Sequence, residues 1–371
     1  MIGAVFYYPL YLLIVLFITL SVYRRYYVIT GNSTNKNVNS DLINSFIIAL
    51  IMSIFIGFRP ESWLFVDMMN YIKYYSTFYE DTNFIWDWNA ENKIFDNIFA
   101  LFGSLNLGIR SFFVLVSFIY FITAWIACKR LFPNDVMIAY VVFLGAFSTF
   151  SYGTNGIKAG AAASLFLMAL SYRENIIPCI FWALMSWGFH HSMVVPVTAL
   201  ILTHIFKNNK WYFRGWLFCL LMAILHVSYF QHLFAGMADE TGSSYLTTTG
   251  EDWAGKGGFR IDFILYGAMP ILVGYYAVYK KKLHLSKMYS SLLQIYLFTN
   301  GIWLLCIYAN FTNRIAYLSW LLYPVVLIYP FLNENWGHRR YRTCAKVILF
   351  HLCFTIFMYM IYYNGFARIF K

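Results

Sequence analysis

The sequence predicts an all-α, polytopic membrane protein with about 12 transmembrane helices, within a range of about 11 to 13. Of its 371 residues, 61% are hydrophobic and only 12% are charged, whereas soluble domains carry about 25% charged residues. Apolar runs of about 20 residues, the length of helix that crosses the hydrocarbon core, recur along the chain. We therefore expect residues 1–371 to form a single integral membrane domain.

The first apolar run is expected to remain as a membrane anchor, because it is too long for a signal peptide and lacks its basic start. The stretch Ile94 to Ile109 is short and interrupted by polar residues, which favours an amphipathic or re-entrant segment at the outer face over a crossing. The predicted crossings lie at residues 2–22, 42–58, 110–128, 134–152, 156–172, 175–190, 191–206, 213–234, 261–279, 288–309, 312–332 and 345–363.

Lys and Arg are distributed unequally between the two sides of these crossings. Seventeen of the 27 basic residues fall on one side, with only four of the 16 acidic residues. Because cytoplasmic loops carry the excess of Lys and Arg, this side is assigned to the cytoplasm and both termini to the outside. An arrangement of thirteen crossings that begins inside remains an alternative. The concentration of charge on one membrane face argues against nucleic acid as the partner.

Two long loops lie on the outer side, at about residues 59–109 and 235–260. From Asp67 onward, aromatic residues recur at helical spacing in the first loop, which predicts an amphipathic helix on the membrane. An interfacial aromatic belt is the alternative interpretation for most of its tyrosines. The second loop is rich in glycine and has no apolar period, which is typical of a mobile lid.

Two adjacent apolar segments frame the main candidate site. Lys158 opens the first segment, and His190 and His191 close the second. If the two segments cross in opposite directions, the lysine and the histidines emerge on the same face. A histidine titrates near neutral pH and can take a proton from a hydroxyl group. An interfacial pair hydrogen-bonded to backbone or headgroups is the alternative.

Further cations stand at helix ends on the outer side. If Arg59, Arg260 and Arg314 converge with Lys158, they form a pocket for a phosphate-bearing ligand, because guanidinium groups match phosphate oxygens bidentately. A residue that snorkels to the interface is the alternative for any one of them. The carboxylates expected to orient these cations or to bind sugar hydroxyls are Asp67, Glu91 and Asp262. No histidine spacing predicts a metal site.

Together, these motifs resemble the EpsG/Wzy-like family of bacterial polysaccharide repeat-unit polymerases. One departure concerns Lys158, because the family commonly has an arginine at this position and lysine lacks its planar fork. The matching stretches, in the family's order, are Phe58-Arg59, Val66-Asp67, Asn70-Tyr71, Glu91-Asn-Lys-Ile-Phe95, Asn155-Gly-Ile-Lys158-Ala-Gly-Ala, Phe189-His190-His-Ser192 and Asn313-Arg314-Ile-Ala-Tyr317.

The resemblance implies a GT-C-like architecture and a glycosyltransferase. Such an enzyme polymerises undecaprenyl-pyrophosphate-linked oligosaccharide repeat units into O-antigen, capsule or exopolysaccharide. It acts in the bacterial cytoplasmic (inner) membrane, with the active site facing the periplasm or outside, and no metal or other cofactor is expected. Membrane lipids, a chain-length regulator and a flippase are the implied partners, and nucleic acid is not.

The resemblance also assigns roles to individual residues. His190 would activate the acceptor hydroxyl, with His191 as its neighbour or substitute. The residues implied in binding substrate and pyrophosphate are Arg59, Lys158, Arg260, Arg314, Asp67, Tyr71, Asn155 and Tyr317. A flippase or transporter of lipid-linked oligosaccharide is the main alternative function, and a membrane-bound acyltransferase is a second one. The positions of the charges at span ends and the absence of convincing inverted repeats favour the enzyme.

Overall fold

The chain folds into α-helices that gather in two compact units. The computed structural model describes residues 3–28, 38–80, 82–227, 229–230, 258–309 and 312–362. One unit comprises Met1–His190 with Tyr341–Lys371, and the other comprises His191–Arg340. Each predicted crossing coincides, wholly or in large part, with helix, except that at 213–234, where the helix ends at Ile224 and the last four residues lie outside the described part of the chain. The all-α fold class is confirmed.

The helices are numbered here in chain order. They are α1 Tyr7–Val28, α2 Val38–Gly57, α3 Val66–Phe78, α4 Lys93–Ser104, α5 Ile109–Leu131, α6 Val136–Leu144, α7 Phe147–Thr154, α8 Ile157–Ser171, α9 Ile176–Phe189, α10 Val194–Ile205, α11 Asn209–Ile224, α12 Ile261–Tyr275, α13 Lys287–Leu305, α14 Thr312–Trp320, α15 Tyr323–Leu332 and α16 Arg340–Tyr362. A short π-helix, Tyr276–Lys280, follows α12.

The core of the first unit is α8, which is buried over almost its whole length. Its small residues at positions 159–164 let the backbones of neighbouring helices approach closely. Helices α5 and α9 pack along it. The Ser186 hydroxyl donates to the Ala162 carbonyl at 2.7 Å, and the Thr123 hydroxyl donates to the Ser164 hydroxyl at 2.7 Å. These bonds fix the positions of α9 and α5 against α8.

Helices α6 and α7 form a pair bent by 68°. A break in a buried helix leaves backbone carbonyls without their helical donors, and each needs a new one. The Tyr11 hydroxyl donates to the Leu144 carbonyl at 2.7 Å, and the Thr355 hydroxyl donates to the Gly145 carbonyl at 2.7 Å. A ring nitrogen of His351 lies 3.3 Å from the Val142 carbonyl. Side chains of α1 and α16 therefore stabilise the bend.

The second unit is organised around α13, which is likewise mostly buried and packs against α10, α11 and α14. Asn300 accepts a hydrogen bond from the Trp216 indole at 2.7 Å and donates to the Ser319 hydroxyl at 3.1 Å. The amide thus links α13 to α11 and α14. Satisfied buried polar groups of this kind fix the relative positions of helices in an apolar core.

The number of crossings stays a prediction. Within the described residues, six helices are long and apolar enough to cross a membrane, or seven if the bent pair counts as one span. The apolar helices Ile157–Ser171, Ile176–Phe189 and His191–Ile205 are shorter than the about 20 residues that a perpendicular crossing needs. Length and composition therefore support a multi-pass membrane protein without fixing its topology.

The long loop at about residues 59–109, predicted to lie on the outer side, contains α3 and α4. The helix expected from Asp67 onward is confirmed as α3, Val66–Phe78. The interrupted stretch after residue 93 forms α4 and a turn before α5 begins. The expectation of a mobile lid at residues 235–260 falls, apart from its last three residues, outside the described part of the chain.

We predict that Thr355→Val lowers the thermal unfolding midpoint in detergent by about 2 °C. Valine keeps the shape of the side chain but leaves the buried Gly145 carbonyl without its donor, at a cost of about 1 kcal/mol. The matched control is Thr299→Val, because the hydroxyl of Thr299 bonds to the Ile295 carbonyl within its own helix, where the backbone amide remains as donor. Equal shifts for the two variants would contradict the role assigned to Thr355.

Candidate functional site

Arg59 is a buried cation just beyond the end of α2. Pro60 disfavours helical backbone at the residue before it, and α2 ends at Gly57. The Arg59 side chain is only 1% exposed. Its Nη1 donates to the Ile56 carbonyl at 3.0 Å, and the guanidinium carbon lies 4.8 Å from the centre of the Phe113 ring. The residue is therefore folded back against α2 and α5.

Two of the nitrogen donors of Arg59 are buried without a hydrogen-bond partner among the described residues, namely Nε and Nη2. Burial lowers the pKa of Arg59 to about 10, an effect opposed by the nearby phenols of Tyr7 and Tyr71. The guanidinium therefore stays charged at neutral pH. Leaving such donors unpaired costs about 1–3 kcal/mol per group, and more when the group is charged. The arrangement is complementary to an anion.

Lys158 is the second residue of α8 and is held by α4. Its ammonium lies 3.2 Å from a carboxylate oxygen of Asp96 and 5.5 Å from the centre of the Phe95 ring. The other carboxylate oxygen of Asp96 accepts a hydrogen bond from the backbone amide of Asn92 at 3.1 Å. Lys158 is thus positioned as a point charge that one carboxylate already partly neutralises.

An aromatic cluster connects Arg59 with Lys158. The Tyr71 ring lies 6.0 Å from Phe95, which is beside Lys158, and 6.4 Å from Phe113, which is beside Arg59. These rings come from α3 and α4, which lie within the loop at about residues 59–109, and from α5, which begins at its end. The fold therefore gathers the arginine, the lysine and Tyr71 around one group of aromatic side chains.

His190 ends α9 at the same end of the helix pair where Lys158 begins α8. The two helices run in opposite directions, and the bond from Ser186 to Ala162 sets their register. The neighbouring residue Phe189 lies near Lys158, since its ring is 6.1 Å from the Phe95 ring that contacts the lysine. His190 itself is 7% exposed, and its backbone is extended. The lysine and the histidine therefore lie at one end of one helical hairpin.

Two further candidates belong to the same unit. Asp67 is half-buried in the first turn of α3, one turn before Tyr71. Asn155 lies between α7 and α8, and its buried side-chain oxygen accepts no hydrogen bond from the described residues. Asn155 thus presents an acceptor three residues before the Lys158 cation.

The remaining candidates belong to the second unit. Arg260 caps the start of α12 and is buried, with Nε 2.9 Å and Nη2 2.6 Å from the two carboxylate oxygens of Asp262. Its guanidinium also stacks on Phe263 at 3.6 Å. Arg314, near the start of α14, and His191, in a short 3-10 turn, are half-buried, whereas Tyr317 is buried. Asp262, one of the carboxylates expected to orient these cations, thus pairs with Arg260.

Sequence reasoning missed the carboxylate that pairs with Lys158. The ammonium of Lys158 pairs with Asp96, whereas the role expected for Glu91 stays a prediction. The available signal was the position of Asp96, a carboxylate within a mainly apolar stretch. Among the described residues, no group of three or more His, Cys, Asp or Glu side chains is placed to hold a metal ion.

We predict that Arg59→Met keeps or raises the thermal unfolding midpoint. Burial lowers the pKa of Arg59 from its ordinary value to about 10, which corresponds to roughly 3 kcal/mol against the charged form, and methionine removes that cost while filling similar space. Because the pKa of Arg59 is lower in the folded protein than in the unfolded chain, the burial cost is fully present below about pH 10. It disappears only above the pKa that Arg59 has in the unfolded chain. Thermal unfolding at pH 7.5 in detergent measures the effect.

The control for this prediction is Arg110→Met. Arg110 forms an exposed ion pair with Glu61 at 3.2 Å, and such pairs contribute about 0–1 kcal/mol. Its substitution should leave the midpoint within about 2 °C. A fall of more than 5 °C for Arg59→Met alone, on the order of 2 kcal/mol, would show that the arginine is a structural element.

Comparison with known proteins gives one family assignment. The family model described as EpsG family matches residues 42–370. No curated protein and no solved structure matches the chain. The matched range covers α2 to α16 and includes every residue of the candidate site. The chain therefore belongs to the EpsG family, which indicates a glycosyltransferase-like role in polysaccharide polymerisation.

Proposed function

We propose that the protein joins undecaprenyl-pyrophosphate-linked oligosaccharide repeat units into a polysaccharide. The reaction transfers a glycan from one lipid-linked donor to the sugar of a lipid-linked acceptor, at the outer face of the cytoplasmic membrane. The observation that carries this proposal is the buried Arg59, whose two unpartnered donors suit the pyrophosphate oxygens of the donor. Membership of the EpsG family supports the polymerase reaction.

In this mechanism, the cations stabilise the leaving group. As the bond between the anomeric carbon and the pyrophosphate oxygen breaks, negative charge grows on the diphosphate. Arg59 donates hydrogen bonds to it, and Lys158 adds a point charge on the far side of the aromatic cluster. Hydrogen-bond donors that are already in place before the reaction need no reorganisation energy when the charge develops. In the second unit, Arg260 and Arg314 are proposed to bind the substrate's phosphates.

His190 is proposed as the general base. The acceptor hydroxyl attacks the anomeric carbon while its proton passes to an imidazole nitrogen of His190, and lipid diphosphate departs. His191, next in the chain, is the neighbouring base. Asp67, Tyr71, Asn155 and Tyr317 are proposed to orient sugar hydroxyls. Because the proposed donor is already activated by its lipid diphosphate, the reaction needs no nucleotide sugar. The cations are proposed to stabilise the leaving group without a metal ion.

A flippase for the same lipid-linked oligosaccharide is the second candidate. The bent pair of α6 and α7 favours it, since broken helices are common in transporters. However, side chains of α1 and α16 already satisfy the carbonyls at the bend. Lys158 and His190 also lie at one end of the hairpin of α8 and α9 and do not belong to the bent pair. We therefore favour the polymerase, with a flippase and a chain-length regulator as separate partners.

We predict that the purified protein in proteoliposomes converts lipid-linked repeat units into a ladder of longer glycans, resolved on a gel. Arg59→Met should reduce the rate at least 100-fold, because a buried phosphate-binding guanidinium contributes about 3 kcal/mol to transition-state binding. His190→Ala should reduce it 100-fold or more through loss of base catalysis. Arg110→Met is the control and should retain the wild-type rate.

Three outcomes would contradict this prediction, each in a different way. Lipid-linked sugar that crosses the bilayer without any ladder would replace the polymerase with a flippase. Full chain growth by His190→Ala would remove the base assignment while leaving the reaction in place. Wild-type growth by Arg59→Met would show that the unpartnered donors do not serve the diphosphate.

Topology provides an independent prediction. In a cysteine-free background, Trp88→Cys should react with a membrane-impermeant maleimide in intact cells, because residue 88 lies in the first outer loop and is exposed. Lys281→Cys should react only after the membrane is opened, because the Lys280–Lys282 run belongs to the basic face. Labelling of Lys281→Cys in intact cells would reverse the assigned orientation.

A further inference from the structure

The segment Phe84–Trp88 presents large aromatic and aliphatic side chains to the outside of the first unit; we call it the tryptophan loop. Trp88 is 74% exposed and Ile85 is 81% exposed, and Trp86 is also exposed. The centres of the Trp86 and Trp88 rings are 5.7 Å apart, with their planes tilted by 55°. Two indoles thus offer adjoining faces at an angle. Clustered exposed apolar residues of this size indicate a binding surface.

The tryptophan loop is held rigidly by Asn97 of α4. The Asn97 side chain is 2% exposed. Its oxygen accepts from the Asp87 amide at 2.7 Å, and its nitrogen donates to the Asp87 carbonyl at 2.9 Å and to the Lys93 carbonyl at 2.7 Å. The Lys93 ammonium also donates to the Trp88 carbonyl at 2.7 Å. A surface fixed before binding loses little conformational entropy when a ligand arrives.

Charge distinguishes the classes of ligand that could occupy this surface. Between residues 80 and 91 the sequence has four carboxylates and neither lysine nor arginine. Lipid-binding segments attract anionic headgroups with lysine and arginine, so the acidic loop is poorly matched to an anionic bilayer surface. Exposed carboxylates and amides, such as those of Asp87 and Asn89, suit hydroxyl donors. The combination of indoles and acceptors is complementary to sugars.

We propose that the tryptophan loop binds the saccharide chain of the substrate or product. The apolar C–H faces of sugar rings carry slight positive charge and stack on the negative faces of indoles, while hydroxyls at the ring edges donate to Asp87 and Asn89. The proposal rests on the proposed function for the identity of the glycan. Helix α4 connects the loop to the candidate site, because Asn97 holds the loop and the adjacent Asp96 pairs with Lys158.

Isothermal titration calorimetry on the full chain in nanodiscs tests the proposal. The probe is a soluble oligosaccharide of two or more repeat units, released by mild acid from the surface polysaccharide of the cells that express the protein. We expect Trp86→Ala/Trp88→Ala to weaken binding about tenfold or more, as truncation of central interface tryptophans does. Asn97→Leu should also weaken it, although both indoles remain, because the loop is no longer fixed.

Trp211→Ala is the matched control. Trp211 is 65% exposed but lies on α11 in the second unit, so its substitution should leave the affinity at the wild-type value. Wild-type affinity in the double variant, or no binding by the wild-type protein, would overturn the proposal. A second measurement uses nanodiscs whose lipids have brominated acyl chains, which quench tryptophan fluorescence on contact. If they quench the part of the fluorescence that Trp86 and Trp88 contribute, which is the part missing from the double variant, the indoles lie in lipid and the proposal is overturned.

The experiment separates this proposal from the proposed function. Chain growth by the wild-type protein together with unchanged oligosaccharide affinity in Trp86→Ala/Trp88→Ala would remove the saccharide surface and leave the polymerase. If the oligosaccharide binds through the tryptophan loop but the wild-type protein forms no ladder of longer glycans, the polymerase proposal is overturned and the saccharide-binding surface stands. In a protein that does polymerise, the double variant should also shift the product towards shorter chains.

Discussion

The burial of a charged guanidinium is the constraint on which the first unit depends. Arg59 cannot reach bulk water, so the end of α2, the face of α5 and the phenols of Tyr7 and Tyr71 must all accommodate its charge. Aromatic faces compensate only part of the lost hydration, and two nitrogen donors have no partner among the described residues. A protein core selected for stability alone would hold an apolar side chain here. The diphosphate proposed as the ligand would supply the negative charge that this site lacks.

Much of the fold could be predicted from hydropathy, because each long apolar run needs its backbone hydrogen bonds satisfied within the segment. The helix beginning near Asp67 followed from aromatic spacing in the same way. The bend at Gly145 could not be predicted, since it depends on Tyr11, His351 and Thr355, which are far away in sequence. The number of crossings also remains open, because helices of 14 or 15 residues read like crossings in an apolar sequence.

The candidate site was only partly visible in the sequence. Opposite helix directions predicted that Lys158 and His190 share one end, and the hairpin of α8 and α9 has this geometry. The ion pair with Asp96 was not foreseen, because α4 approaches α8 through tertiary packing that leaves no local pattern. The buried state of Arg59 was equally hidden, since a cation after a crossing looks like an interfacial residue. The sequence could identify the ionisable groups, but it could not show which of them are buried from water and which form ion pairs.

The ion pair between Lys158 and Asp96 has a consequence for turnover. An anion that reaches Lys158 competes with a resident carboxylate, so its binding is an exchange of partners. The net gain in attraction is smaller than for an unpaired cation, and the carboxylate can reclaim the lysine as the anion leaves. A lysine suits such an exchange, because its single point charge rotates between partners more readily than the fixed fork of an arginine. In the proposed reaction, in which a lipid diphosphate leaves after every addition, the pair would therefore work against product inhibition.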